Sequence, residues 1–248
     1  MSIPIDHLAS IDSTNVEAMR RIAAGERGPR WVIAAEQTAG RGRSGRSWTS
    51  TPGNFYGSLI LPVACRPAVA HQLSLLLGVV VHDALSKAAG RQIVGLRLKW
   101  PNDVLIGTSK LCGLLPESTA DPMTGGLSVV FGIGINLIAP PGDLGRPVAS
   151  LAEHGIHLAP DEMAAPLGTW MLHWLSLWRA GDGFETVRSA WLERAGSRGE
   201  AMQVNSGTGA VAGTFEGLDA DGALLLRLET GAVRRFTFGD VTLAAAAR

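Results

Sequence analysis

The chain has 248 residues, of which 46% are hydrophobic, and its 22 lysine and arginine residues balance 22 aspartate and glutamate residues. This length and composition indicate a globular protein with one large domain and room for a small one, while the zero net charge argues against a dedicated DNA-binding or membrane-surface protein. The longest apolar stretch, Leu73 to Val81, is too short to span a bilayer. Cys65 and Cys112 form no metal-spacing motif, and the N-terminus lacks a signal-peptide pattern, so we predict a cytoplasmic location.

The first polar motif follows a short predicted strand at residues 7–11. Residues 12–15, Asp-Ser-Thr-Asn, begin a predicted helix that ends at Gly25. Ser13 or Thr14 can cap this helix, with Glu17 in the position of a capping box, and a cap is the more common role for such residues. The alternative is that the two hydroxyls and the Asn15 amide orient a polar ligand at the helix N-terminus.

A cationic loop, Glu36 to Asn54, lies between the predicted strands 31–35 and 55–61, the second of which we expect to end at Pro62. The loop contains three arginines and three glycines: Arg41, Arg43, Arg46, Gly40, Gly42 and Gly45. Glycine lets a backbone approach a ligand closely, and arginine matches phosphate or carboxylate, so the loop is a candidate lid over a small anion. The alternatives are a flexible solvated loop or a nucleic-acid-binding tail, although its internal position argues against a tail.

A long helix is predicted over residues 69–89, followed by a second unusual motif. In that motif a strand ends at Lys99-Trp100, residues 101–103 form a turn, and a hairpin follows that carries Lys110. Lysines flanked by apolar residues at strand ends are rarely pure surface charges, so Lys99 and Lys110 are expected to share a cleft. Taken alone, the Pro-Asn-Asp sequence at residues 101–103 is typical of a turn and does not require a functional role.

The remaining elements complete a two-domain organisation. A strand over residues 127–137 contains Gly132 and Gly134, which indicate a bulge or a ligand near the backbone, and it ends at Asn136. Amphipathic helices are predicted at 160–178 and 184–195, with their tryptophans in the core or facing a partner. After the boundary between residues 196 and 197, five short strands predict a small SH3-like β-barrel over 197–248.

Five motifs occur together and in order, namely Ser13-Thr-Asn15, Glu36-Gln-Thr-Ala-Gly-Arg-Gly-Arg-Ser-Gly-Arg-Ser-Trp48, Lys99-Trp-Pro-Asn-Asp103, Lys110-Leu-Cys-Gly113 and Gly132-Ile-Gly-Ile-Asn136. In this combination the chain resembles the biotin–protein ligases (biotin–[acetyl-CoA-carboxylase] ligases) across residues 7–243. No helix-turn-helix segment precedes Ser13, so the resemblance is to the form that does not act as a DNA-binding repressor. It implies an α+β fold: a mixed, largely antiparallel sheet flanked by helices, similar to class II aminoacyl-tRNA synthetases, in domain 1–196, plus the barrel.

The resemblance also implies an activity. Such an enzyme activates biotin with ATP and Mg²⁺ to biotinyl-5′-AMP, releases pyrophosphate, and transfers biotin to a lysine of a biotin carboxyl carrier protein domain. It implies no DNA or membrane partner, and a homodimer is possible.

By the same resemblance, each motif has a role. Ser13, Thr14, Asn15 and Gln37 match positions that bind the ureido ring of biotin. Gly40, Arg41, Gly42 and Arg43 match the loop that closes over biotin and the adenylate, and Gly113, Gly132 and Gly134 line the biotin site. Arg46, Trp48, Lys99, Asn102 and Asn136 match the nucleotide side, with Trp48 stacking on adenine, and Arg41 and Arg43 contribute there too. Asp103 helps to hold Mg²⁺. Lys110 and Arg43 are the expected catalytic residues, with Lys110 bridging the biotin carboxylate and the α-phosphate.

Two other functions remain open at this point. A lipoate or octanoate ligase or transferase shares the fold, but its transferase form would use an acyl-cysteine or acyl-lysine, and both cysteines lie outside the ligand-binding positions of these motifs. A non-enzymatic nucleic-acid-binding module would need a basic C-terminal domain, whereas acids and bases nearly balance over residues 199–248. Pro116 departs from the family pattern and predicts an edge strand or a bulge.

Overall fold

The computed structural model describes residues 3–121, 123, 125–140, 142, 145–207 and 209–243. Its larger part is built on a seven-stranded sheet of β1 (Ile5–Ile11), β2 (Arg30–Gln37), β3 (Phe55–Val63), β4 (Leu96–Lys99), β5 (Asp103–Ile106), β6 (Ser109–Ala120) and β7 (Leu127–Ile135). The strand order is β1-β2-β3-β7-β6-β5-β4. Only the β1–β2 pair is parallel, so the predicted mixed, largely antiparallel sheet is confirmed.

Three helices cover one face of this sheet: α2 (Gln72–Ala88), α3 (Ala164–Trp178) and α4 (Phe184–Arg194). The predicted helices at 69–89, 160–178 and 184–195 are confirmed, although each of the first two starts with a separate turn of 3₁₀ helix. Alternate residues of β7, such as Phe131 and Ile133, point into this layer and are buried in the main core. Trp174 and Trp178 are buried there as predicted, and their indole N–H groups donate to Asp83 and Gln72.

The other face of the sheet carries helix α1 (Thr14–Ala23). Ala18 and Ile22 of this helix pack against Val32, Ile60 and Val130. Because α1 is only 10 residues long, it covers part of this face. The rest, beyond its N-terminus, forms the floor of a cavity.

Two prolines lie within strands, and both are tolerated there for the same reason. Pro62 does not end β3, contrary to the prediction: it pairs with Ser128 of β7, beyond the last β2 partner of β3 at Ile60. Pro116 pairs with Phe131 of β7, whereas β5 accompanies β6 only as far as Gly113. Each proline therefore lies where its strand has one neighbour, so the missing N–H costs no ladder bond. The predicted edge at Pro116 is confirmed.

The C-terminal part is a second, antiparallel sheet of β8 (Ala201–Ser206), β9 (Gly209–Leu218), β10 (Leu224–Arg227), β11 (Val233–Phe236) and β12 (Asp240–Leu243). Its order is β11-β10-β9-β8-β12, which confirms the predicted small antiparallel domain, and in the described residues β11 and β12 are not paired to close it. Trp100 and His71 bond to carbonyl oxygens of Gly222 and Asp221, which fastens this sheet to the larger one. The boundary at 196/197 stays a prediction. No described helix is long and apolar enough to cross a membrane.

Candidate active site

A single cavity of about 480 Å³ brings the predicted motifs together on the sheet face shared with α1. The predicted site residues that line it are Ser13, Thr14, Asn15, Gln37, Arg41, Gly42, Arg43, Arg46, Trp48, Lys99, Asn102, Asp103, Lys110, Gly113, Gly132 and Gly134. Gly40 and Asn136 are the two predicted site residues that are absent from the described lining. The cavity has two chemically different ends.

One end is a neutral, hydrogen-bonded cluster at the start of α1. Gln37 Oε1 accepts from the Thr14 N–H at 2.9 Å and from the Thr14 hydroxyl at 3.1 Å. Ser58 Oγ lies 2.8 Å from Thr14 Oγ1 and 2.6 Å from Asn15 Oδ1. Ser13 occupies the N-cap position with no side-chain cap bond in the described structure. The predicted cap is therefore wrong, and these side chains serve the cavity instead.

Asn15 lies directly over the central strands. Its amide nitrogen donates to Leu115 O at 3.0 Å and to Glu117 Oε2 at 2.7 Å. A Cβ at Gly132 would lie 2.2 Å from Asn15 Oδ1. Glycine at 132 is therefore required by the Asn15 amide, rather than by direct approach of a ligand as the sequence suggested.

The arginine loop is a small hairpin. An isolated bridge pairs Arg41 with Ser47, and Gly42 N donates to Arg46 O at 2.7 Å. Gly40 is buried beneath this hairpin, where a Cβ would lie 2.5 Å from Trp48 O. The role predicted for Gly40 in binding biotin stays a prediction; in this structure the hairpin occupies the space that a side chain at this position would fill.

Trp48 lies flat on the strands at the middle of the cavity. Gly113 and Gly134 are register partners on β6 and β7, and a Cβ on them would lie 2.4 and 2.7 Å from the indole ring. The ring therefore covers both glycines, which makes their predicted contact with biotin indirect. Lys110 Nζ lies 5.5 Å from the ring centroid, a cation–π contact. In the described structure the buried indole N–H has no hydrogen-bond partner.

The other end of the cavity is cationic and centres on Asp103. Lys99 Nζ lies 2.9 Å from one carboxylate oxygen of Asp103, and Lys110 Nζ pairs with the other. Burial alone would raise the pKa of Asp103, but the two ammonium charges more than offset it and hold the pKa below its usual value. Burial lowers the pKa of Lys110, and the opposing attraction of Asp103 does not cancel this effect.

This geometry does not fit the predicted role of Asp103 as a Mg²⁺ ligand. Both of its oxygens are engaged by lysines, and a divalent cation would have to displace two like charges. Asp103 instead positions the two ammonium groups.

Arg43 closes this end from the loop. Its Nη1 donates to Asn102 Oδ1 at 3.2 Å, and the Asn102 amide nitrogen donates to Leu114 O at 2.7 Å. Burial lowers the pKa of Arg43, although arginine remains charged in proteins. Asn102 is therefore the link through which the strands hold the loop arginine over the cavity.

The second sheet supplies a wall that the sequence motifs did not indicate. Asp240 Oδ1 accepts from Arg46 Nη2 at 2.6 Å, and Val241 O accepts from Lys99 Nζ at 2.8 Å. Residues 240–243 all line the cavity. The sequence analysis included this segment only in the overall resemblance across residues 7–243, which carries no information on which side chains it meets.

Asn136 lies behind the cationic end rather than in it. Its amide donates to Ala149 O at 3.0 Å, while its backbone joins Leu111 and Leu151. It also borders a separate small void beside Trp48 and Lys110. The nucleotide contact predicted for Asn136 stays a prediction: its amide nitrogen holds the segment that follows β7, and its Oδ1 has no hydrogen-bond partner in the described structure.

Comparison with known proteins is consistent with this arrangement. The model of the biotin/lipoate A/B protein ligase family matches residues 8–136, and that of the biotin protein ligase C terminal domain matches residues 199–243. The biotin–[acetyl-CoA-carboxylase] ligase of Paracoccus denitrificans is 40% identical over 90% of this chain and 94% of its own length. The bifunctional ligase/repressor BirA of Escherichia coli is 33% identical over 96% of this chain and 74% of its own.

Among solved structures, the biotin protein ligase from Aquifex aeolicus in complex with biotin and ATP superposes with a TM-score of 0.80, at 26% identity, over 97% of this chain and 99% of that one. The sequence match and the structural match each span nearly the whole chain. The chain therefore belongs to the biotin/lipoate A/B protein ligase family, and within it to the biotin protein ligases.

Proposed function

We propose that this protein is a biotin–protein ligase that activates biotin with ATP and transfers it to a lysine of a biotin carboxyl carrier protein domain. The observation that carries the proposal is the polarity of the cavity. A cluster of uncharged hydrogen-bonding side chains lies at Asn15, over Leu115 of β6 and next to Glu117, and the buried ammonium of Lys110 lies five residues away on the same strand. β6 has a register shift between Lys110 and Cys112. At about 3.3 Å per residue the two ends are therefore at most about 16 Å apart, enough for a head group, a short chain and a carboxylate.

The first half-reaction joins two anions. A carboxylate oxygen of biotin forms a bond to the α-phosphorus of ATP, and the bond from that phosphorus to the bridging oxygen breaks, so pyrophosphate leaves with the electron pair. Lys110 offsets the repulsion and the growing charge, while Lys99 and Arg43 add positive charge around it. Asp103 keeps both ammonium groups fixed.

Mg²⁺ is expected to accompany ATP, and we assign no residue of this chain as a ligand of the Mg²⁺ ion. The family resemblance predicts that Trp48 stacks on adenine, and this role stays a prediction. The position of Trp48 over Gly113 and Gly134 favours instead a wall along the ligand chain.

The second half-reaction requires protection of the mixed anhydride. The carrier lysine amine attacks the biotinyl carbonyl carbon, the bond from that carbon to the phosphate oxygen breaks, and AMP leaves. Until then water must be excluded. The Arg41–Ser47 hairpin, tied to the strands through Arg43 and Asn102 and to the second sheet through Arg46 and Asp240, is the segment that provides this cover.

A lipoate or octanoate ligase is the remaining alternative. Cys112 is fully buried against the helical layer, and burial raises the pKa of its thiol, so it is unsuited to an acyl-thioester route. The polar cluster at Thr14, Asn15 and Gln37 fits a head group with hydrogen-bonding atoms better than it fits a dithiolane ring or a plain alkyl chain.

Pyrophosphate release from ATP by the purified protein, with biotin, lipoate and octanoate supplied separately, tests the proposal. We expect release with biotin alone, followed by biotin transfer when a carrier domain is added. Release with lipoate or octanoate instead would favour the alternative. The possible homodimer, the absence of DNA binding and the cytoplasmic location also remain predictions.

A further inference from the structure

The Asn15 amide is held from both sides by residues outside the sequence motifs. Its two N–H groups are used by Leu115 O and Glu117 Oε2, so neither is free for a ligand. Its oxygen lies 2.6 Å from Ser58 Oγ and carries no proton, so the Ser58 hydroxyl donates to it. This pattern fixes the orientation of the amide: its nitrogen faces Leu115 and Glu117 of β6, and its oxygen faces Ser58 of β3.

The Thr14 hydroxyl is constrained in turn. Its oxygen has Ser58 Oγ at 2.8 Å and Gln37 Oε1 at 3.1 Å. Since the Ser58 proton is committed to Asn15, the single Thr14 proton points at one of these two protein oxygens. In either case Thr14 offers the cavity a lone pair.

We propose that Ser58 and Glu117 are positioning residues that make this end of the cavity an acceptor surface, which selects acids whose distal head carries N–H donors. The inference rests on the proposed function and extends it to head-group specificity. Thr14 Oγ1 is the acceptor presented, and Asn15 Oδ1, which lies against Gly132, holds the Ser58 proton away from it. Without Glu117 the Asn15 amide is free to turn and present N–H groups, and without Ser58 its oxygen loses the donor that holds it.

The chain offers matched controls for both positions. Ser128 is a second buried strand serine on the same sheet face as Ser58, and its hydroxyl has no hydrogen-bond partner in the described structure. Ser118 adjoins Glu117 on β6 but is exposed. Ser128→Ala and Ser118→Ala therefore remove hydroxyls without touching Asn15.

The experiment compares Ser58→Ala and Glu117→Leu with these controls, using pyrophosphate release and calorimetric titration with biotin and with biotin methylated on a ureido nitrogen. Each of the two variants is expected to raise the KM and Kd for biotin about tenfold, the equivalent of one buried hydrogen bond, with kcat and the KM for ATP unchanged. The preference for biotin over its methylated form should fall by a similar factor. Glu117→Gln, which keeps an acceptor for Asn15, should restore most of the affinity.

Several results overturn the inference. If Ser58→Ala and Ser128→Ala behave alike while the wild-type protein releases pyrophosphate with biotin, the positioning role is wrong and the proposed function stands. If a variant loses affinity equally for biotin and for methylated biotin, its selectivity is unchanged, and this result also refutes the positioning role. A wild-type protein that binds biotin without releasing pyrophosphate defeats the proposed function alone, and the titrations still decide the inference. A wild-type protein that does neither defeats both.

Discussion

Replacement of Lys110 by alanine should abolish rapid adenylation and leave folding intact. The residue is one preorganised cation at the point where two anions meet, and loss of such a donor costs on the order of 3 kcal/mol of barrier, or about 10²-fold in rate. Stability should change little. The lost cation–π contact with Trp48 costs about 0.5 to 1 kcal/mol. Burial disfavours the charged form of Lys110, as its lowered pKa indicates, so removing this ammonium group offsets that loss. Asp103 keeps Lys99 as its partner.

The rate is best measured as a rapid-quench burst of pyrophosphate with biotin and ATP in the absence of carrier, where retained adenylate limits release to a single turnover. Lys87→Ala is the matched control, because Lys87 is exposed on α2, away from the cavity. We expect the Lys110→Ala melting temperature to stay within about 3 °C of the wild type. A burst rate within threefold of the wild type would refute the role of Lys110. A slow burst with a fall of 10 °C or more would indicate instead that its role is structural.

Four further results are expected from the same site. Because burial lowers the pKa of Lys110 and its charged form is the useful one, the burst rate should decline on the alkaline side at a pH below the ordinary lysine value of 10.5, and a profile flat up to that value would contradict this. Arg43→Gly should release free biotinyl-adenylate, detectable by chromatography of the filtrate, whereas unchanged retention would remove Arg43 from the cover. Asp103→Asn should destabilise the fold by about 3 kcal/mol, seen as a fall in melting temperature of roughly 9 °C, because it leaves two buried ammonium groups without a counter-charge. Gly134→Ala should displace the Trp48 ring, shift tryptophan emission to longer wavelength and raise the KM for biotin; unchanged emission would show that the ring adapts.

The predicted site residues converge because most of them lie at the ends of strands or beside them on one face of the sheet, and such positions are visible in sequence as polar residues between apolar runs. The sequence does not show which group approaches each glycine. A glycine in a strand indicates close approach by some group, and here the group is the Asn15 amide at Gly132 and the Trp48 ring at Gly134. The sequence identified the positions correctly but did not show that side chains of this chain lie against them.

Two asparagines beside strands show why an amide is hard to assign from sequence. Asn54 and Asn136 follow or precede strands, where an amide serves a ligand or the backbone equally well. In the structure Asn54 Oδ1 accepts from the backbone N–H of Leu137 and Ile138, and Asn136 holds Ala149. These backbone partners are set by tertiary packing. Local propensity contains no information about them.

Ser58 and Glu117 show which residues around the site can be predicted from sequence and which cannot. Ser58 is a small residue inside an apolar strand, and only its register opposite Gly132 places it beneath Asn15. Glu117 carried a usable signal, because strand periodicity places it on the same face as Gly113 and Leu115. Period-two alternation from a recognised site residue could therefore have added Glu117, whereas Ser58 required the strand order of the folded sheet.

The two ends of the cavity impose an orientation on any acid that enters it. Lys110 and Lys99 attract a carboxylate, whereas the oxygen of Thr14 repels one and favours N–H donors. An acid bound backwards would therefore face unfavourable contacts at both ends. The correct orientation places its carboxylate beside Lys110, where activation takes place. The same distribution of charge thus selects the head group and aligns the reacting group, so a change at the acceptor end alters affinity and selectivity before it alters the rate of the chemical step.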